Sequence, residues 1–130
     1  MFKIKHCYSK KDIYQLLKVP VELQRGNWDT GYQKYNDCIY VFCNIGTAGR
    51  TGHDYDNHWE GNDLVWYGKT NTHIDQPFIK DLINNTYPVY IFSREEDRSP
   101  FTYQGIATVK EYFNEIPVKI KWKMNVPNIV

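Results

Sequence analysis

Four features are scarce or missing in this chain of 130 residues, and each excludes a class of protein. Cysteine is scarce: Cys7, Cys38 and Cys43 make an odd count without a Cys-x-x-Cys pair, which argues against a disulfide framework and against a zinc knuckle. Charge of one sign is also scarce, because 16 basic residues face 15 acidic residues and the net charge is +1. No global field therefore attracts the protein to nucleic acid, and binding to DNA would depend on a local surface.

Long apolar runs and nucleophile motifs are missing as well. No run approaches the ~20 apolar residues of a membrane-spanning helix, and residues 1–5 lead into polar residues rather than into the apolar centre of a signal peptide. We therefore expect no membrane association and a reducing, cytoplasmic location. No Gly-x-Ser-x-Gly turn occurs, so we expect a domain that is not catalytic on its own.

Aromatic residues, by contrast, are abundant. Eleven Tyr, four Trp and six Phe make 16% of the chain. We expect some of these rings to line a surface or a pocket, because one small core cannot hold them all. The hydrophobic content of 42% and the charged content of 24% indicate a folded chain, and its length predicts a single domain over residues 1–130.

Apolar periodicity predicts an α+β fold with two short helices and five or six strands. One helix is expected over residues 9–17, where Ser9 and Asp12 form a capping box, and another over residues 75–83, where Asp75 is the candidate cap. The predicted strands cover residues 38–44, 64–69, 87–92, 101–109 and 118–123. Because two helices cannot cover a parallel sheet, we expect a mixed or antiparallel curved sheet that closes towards a barrel.

Two of these strands carry a further prediction. Residues 38–44 form a near-continuous apolar run, which is typical of a central strand covered on both faces. In residues 118–123 three core residues alternate with three lysines that face water: Val118, Lys119, Ile120, Lys121, Trp122 and Lys123. We interpret the lysine row as protection of an edge strand; the alternative is a row that faces DNA phosphates.

Polar and aromatic side chains are concentrated in residues 49–69, a polar Gly-rich stretch followed by an aromatic strand. A base that has left its stack is recognised by aromatic faces and by hydrogen bonds to its edge, and a carboxylate can accept from a cytosine amino group. This chemistry predicts a base pocket made by Tyr55, Asp56, Asn57, Trp59, Trp66 and Tyr67.

Residues from this stretch and from a second Gly-bounded loop, residues 25–32, are candidates for contact with the DNA. They are Arg25, Asn27, Trp28, Asp29, Arg50, Thr51, His53, His58 and Lys69. The alternative for Trp28 is an ordinary linker whose indole packs into the core.

Three alternatives to base recognition stay open. The first alternative is a metal site in a small metal-dependent nuclease, made by His53, Asp54, Asp56 and His58. The spacing of these residues lacks the specificity of known metal motifs. We therefore expect no metal and no other cofactor. The aromatic excess could instead form a surface for a protein partner. The stretch could also be an ordinary long loop with its own aromatic cluster.

The order of several motifs resembles that of SRA (YDG) domains. The motifs are Gly52…Tyr55-Asp56-Asn57…Trp59…Gly61…Trp66-Tyr67-Gly68, Pro88-Val89-Tyr90-Ile91-Phe92-Ser93-Arg94 and Phe101-Thr102-Tyr103-Gln104-Gly105. The resemblance covers roughly residues 8–123. The closer resemblance is to the SRA-like modules of McrA-type HNH restriction endonucleases, and the chain also resembles the C-terminal module of some helicase-type restriction proteins.

The resemblance implies a PUA-like twisted β-barrel that flips a modified base, 5-methylcytosine or hydroxymethylcytosine, into an aromatic pocket. Tyr55 would be one stacking ring, Trp66 or Tyr67 the other, and Asp56 or Asn57 would hold the base edge. Trp28 would fill the gap left in the duplex.

The implied partners are double-stranded modified DNA and a nuclease domain or subunit of a restriction system; a reader of phosphorothioate DNA is a variant. Alanine at Tyr55 or Trp66 is expected to abolish the preference for modified duplex and to leave the fold intact.

Overall fold

The computed structural model describes residues 2–29, 31–46, 57–96 and 98–125, apart from the side chains of Asn27 and Asp29. Within these ranges the chain forms two α-helices, two 3₁₀ turns and eight strands. The helices are α1 (Lys10–Leu17) and α2 (Pro77–Ile83), and the 3₁₀ turns cover Val21–Leu23 and Gly26–Asp29. The strands are β1 (Cys7–Tyr8), β2 (Tyr32–Tyr35), β3 (Cys38–Asn44), β4 (His58–Glu60), β5 (Asp63–Tyr67), β6 (Val89–Arg94), β7 (Phe101–Phe113) and β8 (Lys119–Asn125).

The strands form one mixed sheet in the order β2-β3-β6-β7-β8-β5-β4, and β1 pairs with β7. Strands β3 and β6 are parallel, whereas the other neighbours are antiparallel. The prediction of an α+β fold with a mixed sheet and two short helices is confirmed. The expected closure is not seen in the described part of the chain, where β2 and β4 remain the two ends of the strand order.

The two helices begin for different reasons. The capping box of α1 is confirmed: the Asp12 N–H donates to Ser9 Oγ, and the Ser9 N–H donates to Asp12 Oδ2, both at 3.0 Å. The predicted cap of α2 is wrong, because the N-cap is Gln76 rather than Asp75 and makes no side-chain capping bond. Pro77 occupies the start of α2, where its fixed φ suits a helix and its missing N–H costs nothing.

Two cores, one on each face of the sheet, account for most of the rings. Strand β3 shows the division: Ile39, Val41 and Cys43 enter one core, whereas Tyr40 and Phe42 enter the other. This confirms β3 as a central strand covered on both faces. The second core is mostly aromatic and contains Tyr14, Trp28, Tyr40, Phe42, Phe92, Phe101 and Tyr103. The rings are therefore numerous because the sheet has two covered faces, and a pocket is not needed to hold most of them.

The interpretation of the lysine row as edge protection is wrong. Strand β8 lies inside the sheet, between β7 and β5, and is paired along both sides. The predicted alternation is confirmed, since Ile120 and Trp122 are fully buried while Lys123 is exposed. Lys121 Nζ donates to Glu60 Oε1 at 2.9 Å, so part of the row is neutralised by acids of the neighbouring hairpin.

Candidate functional site

A cleft of about 400 Å³ opens where β6 ends and β7 begins. Strands β3 and β6 are parallel, so their C-terminal ends lie at the same edge of the sheet, and Asn44 pairs with Arg94 there. Strand β7 starts at this edge, and Trp59 of β4 reaches it from the other end of the strand order. Residues that carry polar or aromatic chemistry into the cleft include Trp59, Ser93, Glu95, Glu96, Thr102 and Gln104.

Arg94 ties one wall of the cleft together. Its Nε donates to Asn44 Oδ1 at 2.7 Å, and one of its Nη atoms donates to the Ser99 carbonyl at 3.1 Å. Its guanidinium carbon also lies 4.3 Å from the centroid of the Phe101 ring, within the range of a cation–π contact. Arg94 is therefore engaged on three sides by the protein itself, and we assign it to the wall rather than to a ligand.

Asn57 joins the two halves of the sheet, an arrangement that we call the Asn57 bridge. Its Nδ2 donates to the Asn44 carbonyl at 3.2 Å, and its Oδ1 accepts from the Tyr67 N–H at 2.9 Å. Its backbone carbonyl accepts from the Gly46 N–H at 3.2 Å. The bridge links the end of β3 to the end of β5, across the gap that the strand pairing leaves. A primary amide has two donors and two lone pairs, so Asn57 keeps capacity for one further donor and one further acceptor bond.

A pair of polar side chains forms the floor of the cleft. Gln104 Nε2 donates to Ser93 Oγ at 2.9 Å, and Gln104 Oε1 accepts from Lys5 Nζ at 2.5 Å. Ser93 is only 4% exposed. The sequence motifs contain Ser93 and Gln104, but nothing in their local pattern marks them as site residues, because only the pairing of β6 with β7 brings them together.

The aromatic residues of the predicted pocket are placed differently from one another. Trp59 lines the cleft, and Tyr67 is half-buried beside the Asn57 bridge. Trp66 is 3% exposed, and its ring centroid lies 5.6 Å from that of Tyr32 and 6.3 Å from that of Trp122. Stacking of Trp66 on a base stays a prediction, but the expectation that Trp66→Ala leaves the fold intact does not fit a ring buried in the core.

Gly68 follows Tyr67 for reasons of space. A Cβ at this position would lie 2.5 Å from Thr72 Oγ1 and 3.0 Å from a Val118 methyl carbon. Val118 holds Gly68 and Thr72 close together, because the Gly68 N–H donates to the Val118 carbonyl at 2.9 Å and the Val118 N–H donates to the Thr72 carbonyl at 3.0 Å. The glycine of the Trp66-Tyr67-Gly68 motif thus has a packing role.

In the loop of residues 25–32, Trp28 is 2% exposed and packs against the Tyr14 and Tyr40 rings at 5.4 and 5.8 Å. This position matches the alternative in which the indole packs into the core. Arg25 is exposed. Asn27 and Asp29 lie in the Gly26–Asp29 turn.

His58 and Lys69 each have a partner within the protein. His58 Nε2 lies 3.2 Å from Glu60 Oε2. Lys69 Nζ lies 4.2 Å from the centroid of the Tyr32 ring, and partial burial lowers the pKa of Lys69. His58 is the first residue of β4, and Lys69 follows the end of β5.

The remaining predicted residues lie outside the described part of the chain: Arg50, Thr51, His53, Asp54, Tyr55 and Asp56. The nuclease alternative, which uses Asp54, Asp56 and His58, is therefore described only at His58. Among the described residues, no three His, Cys, Asp or Glu side chains are grouped to hold a metal ion.

The cysteines offer no reactive group at the cleft. All three are free, and burial raises the pKa of the Cys43 thiol to about 12, which makes that thiol a packing residue rather than a nucleophile. No helix in the described ranges is long and apolar enough to span a membrane.

Comparison with known proteins gives one family and one fold. A family described as "Domain of unknown function (DUF3427)" matches residues 2–129, and no curated protein matches the chain. The SUVH5 SRA domain in complex with hemi-methylated CG DNA superposes with a TM-score of 0.63 and 13% identity, over 99% of this chain and 91% of that chain. The same domain in complex with methylated CHH DNA gives a TM-score of 0.59 and 15% identity, over 98% and 91%. The chain thus has the SRA fold.

Proposed function

The chain belongs to the DUF3427 family, and we propose that it is a DNA-binding domain that recognises a modified base. The observation that carries the proposal is the extent of the fold match: 99% of this chain superposes on 91% of an SRA domain solved with hemi-methylated DNA. Because nearly all of both chains is superposed, the proposed function concerns the whole domain rather than a short motif within it.

The cleft supports the proposal because it offers the two elements that base recognition needs. Trp59 supplies an aromatic face, and Ser93 and Gln104 supply hydrogen-bonding groups on the floor. Taking a base out of a duplex costs about a few kcal/mol, which an aromatic contact and several hydrogen bonds can offset. Among the described aromatic residues of the predicted pocket, Trp59 is the one that also lines this cleft.

We propose that Tyr55 and Asp56 complete the pocket, with Tyr55 stacking on the base and Asp56 or Asn57 accepting from its amino group. The Asn57 bridge supports this assignment, because the segment that carries Tyr55 and Asp56 joins Gly46 to Asn57 beside the cleft. We further propose that 5-methylcytosine or hydroxymethylcytosine is the mark, and that the domain acts in restriction of modified DNA together with a nuclease domain or subunit.

The test is a binding titration with matched duplexes that carry cytosine, 5-methylcytosine, hydroxymethylcytosine or a phosphorothioate at one position, at two salt concentrations. A preference of about tenfold or more for one mark, equal to about 1.4 kcal/mol, is expected. Equal and salt-sensitive binding to all four duplexes would reduce the domain to a backbone binder.

A variant pair locates the contact. Trp59→Ala is expected to remove most of the preference between modified and unmodified duplex. Tyr112→Ala, which truncates an aromatic side chain that is 50% exposed on β7, is the matched control and is expected to keep it. Equal loss in both variants, or no loss in Trp59→Ala at unchanged melting temperature, would exclude the cleft as the base site.

A further inference from the structure

We infer, resting on the proposed function, that the cleft takes a modified base that carries a sugar, such as a glycosylated hydroxymethylpyrimidine. The volume of the cleft is the first reason. At about 400 Å³ it falls in the range of about 300–1,000 Å³ typical of sites for small-molecule ligands. A methyl group adds one carbon to a pyrimidine, whereas a hexose roughly doubles the number of non-hydrogen atoms of a hydroxymethylated base.

The second reason is the chemistry of the lining. Glu95 and Glu96 are exposed carboxylates at the rim, and acceptor oxygens of this kind pair with neighbouring sugar hydroxyls, each of which has a proton to donate. Ser93 Oγ accepts from Gln104 and still has its own proton to donate. Gln104 retains one N–H beyond the bond to Ser93. The cleft lining thus contains both donors and acceptors, as a hydroxyl-rich ligand requires.

Trp59 supplies the apolar complement. An indole combines a broad apolar face with one polar N–H, and the C–H face of a sugar ring is the apolar surface that such a face can cover. The cleft lining therefore combines an aromatic side chain with polar groups, which matches the two kinds of surface on a pyranose.

Other ligands fit less well. A phosphate would meet the two carboxylates of Glu95 and Glu96 at the rim, while the guanidinium of Arg94 is already engaged by Asn44, Ser99 and Phe101. A methyl group makes no hydrogen bond, so a 5-methylated base would leave more of the polar lining without a partner than a base that carries a sugar. A neutral ligand with many hydroxyls avoids both costs.

The experiment adds a duplex with glucosylated hydroxymethylcytosine to duplexes with cytosine, 5-methylcytosine and hydroxymethylcytosine in the same sequence. The glucosylated duplex is expected to bind about tenfold or more tightly than the hydroxymethylated one, a difference of about 1.4 kcal/mol. The double variant Glu95→Gln/Glu96→Gln removes the charged acceptors and is expected to reduce this ratio to about threefold or less.

Glu111→Gln/Glu115→Gln is the control, because these two acids are exposed at the β7–β8 hairpin and their replacement changes the net charge equally. The control is expected to keep the ratio of the unaltered protein. Measuring a ratio between two duplexes cancels the general gain in DNA affinity that both double variants share.

The outcomes separate the two proposals. If 5-methylcytosine or hydroxymethylcytosine is preferred over cytosine and the glucosylated duplex binds no better than the hydroxymethylated one, the sugar inference is overturned and the reader function stands. If the glucosylated duplex is preferred and the double variant keeps the ratio, the assignment of the sugar to this cleft is overturned. If no duplex is preferred over cytosine, the reader function itself fails.

Discussion

The Asn57 bridge predicts an unusual pH dependence for one conservative variant. Asn57→Asp keeps an oxygen that can accept from the Tyr67 N–H. It replaces the amide donor by a second acceptor, which would face the Asn44 carbonyl across a distance that is now a 3.2 Å hydrogen bond. One net hydrogen bond contributes about 1 kcal/mol, but a half-buried carbonyl left without a donor costs about 1–3 kcal/mol in its place. We therefore expect Asn57→Asp to lower the free energy of unfolding by about 2 kcal/mol at neutral pH.

Protonation should reverse this loss. A neutral carboxyl can donate to the Asn44 carbonyl, so the fold favours the protonated form and raises the pKa of the introduced aspartate above its unfolded value of about 3.9. Between these two pKa values the native state binds more protons than the unfolded state. The stability of the variant must therefore fall as pH rises through the raised pKa, by about 1.4 kcal/mol for each unit of the pKa shift.

Urea denaturation at several pH values between about 4 and 7.5 measures the effect, because a loss of about 2 kcal/mol shifts the midpoint by roughly 1 M. Asn62→Asp is the control: Asn62 is exposed at the β4–β5 turn, so the same change of charge is made away from the bridge. If Asn57→Asp matches Asn62→Asp in stability and in pH dependence, the hydrogen bonds assigned to Asn57 do not hold the two halves of the sheet together.

Four further predictions address other parts of the fold. Trp66→Ala is expected to lower the free energy of unfolding by about 3–5 kcal/mol in urea denaturation, because it empties a buried site in the core. Gly68→Ala is expected to cost about 1–3 kcal/mol in the same assay, because the added methyl overlaps the neighbouring turn; a neutral result would contradict this packing. Lys121→Gln is expected to leave the salt slope of DNA binding unchanged, since its ammonium is held by an acid of β4, whereas a phosphate contact would reduce the slope by about 1. Ser9→Ala is expected to cost about 1 kcal/mol in thermal denaturation and to raise the pKa of Asp12, which the backbone and hydroxyl of Ser9 now lower. The stability that the Asp12 carboxylate adds is present above the unfolded pKa of about 3.9 and is lost as pH falls through the lowered pKa. The stability of the variant should therefore depend less on pH in the acid range.

Local signals are sufficient to predict some elements. Helix α1 can be predicted because Ser9 and Asp12 carry their own capping hydrogen bonds, which depend on spacing alone. Strand β3 can be predicted because a strand covered on both faces needs an apolar residue at nearly every position. Strand β2 is not among the predicted strands, since its sequence from Tyr32 to Tyr35 is half polar and its partner β3 decides its conformation.

The same local signals do not predict which strands are adjacent in the sheet. The alternation in β8 shows which side chains face water, but it does not show which strands lie on either side. The sequence therefore predicts that Lys121 lies on an edge strand, whereas β8 is paired along both sides. The same limit applies to the cleft, whose floor joins Ser93 to Gln104 through the pairing of β6 with β7. Trp59 can be singled out because an aromatic residue in a polar stretch is unusual, whereas Trp66, which has the same side chain, belongs to the core.

The hydrogen bond between the Gly46 N–H and the Asn57 carbonyl, 3.2 Å long, brings together the two ends of the segment 47–56. Gly46, which follows β3, and Asn57, which precedes β4, are thus held at hydrogen-bonding distance from each other. Because the entropy of loop closure grows by only about 0.6 kcal/mol for each doubling of length, a change in the number of residues between Gly46 and Asn57 should cost the domain little closure entropy. Under the proposed function, a designed library with different lengths between Gly46 and Asn57 would vary the part of the chain that carries Tyr55 and Asp56 on one scaffold, and would test whether the DNA mark that is bound changes with this segment.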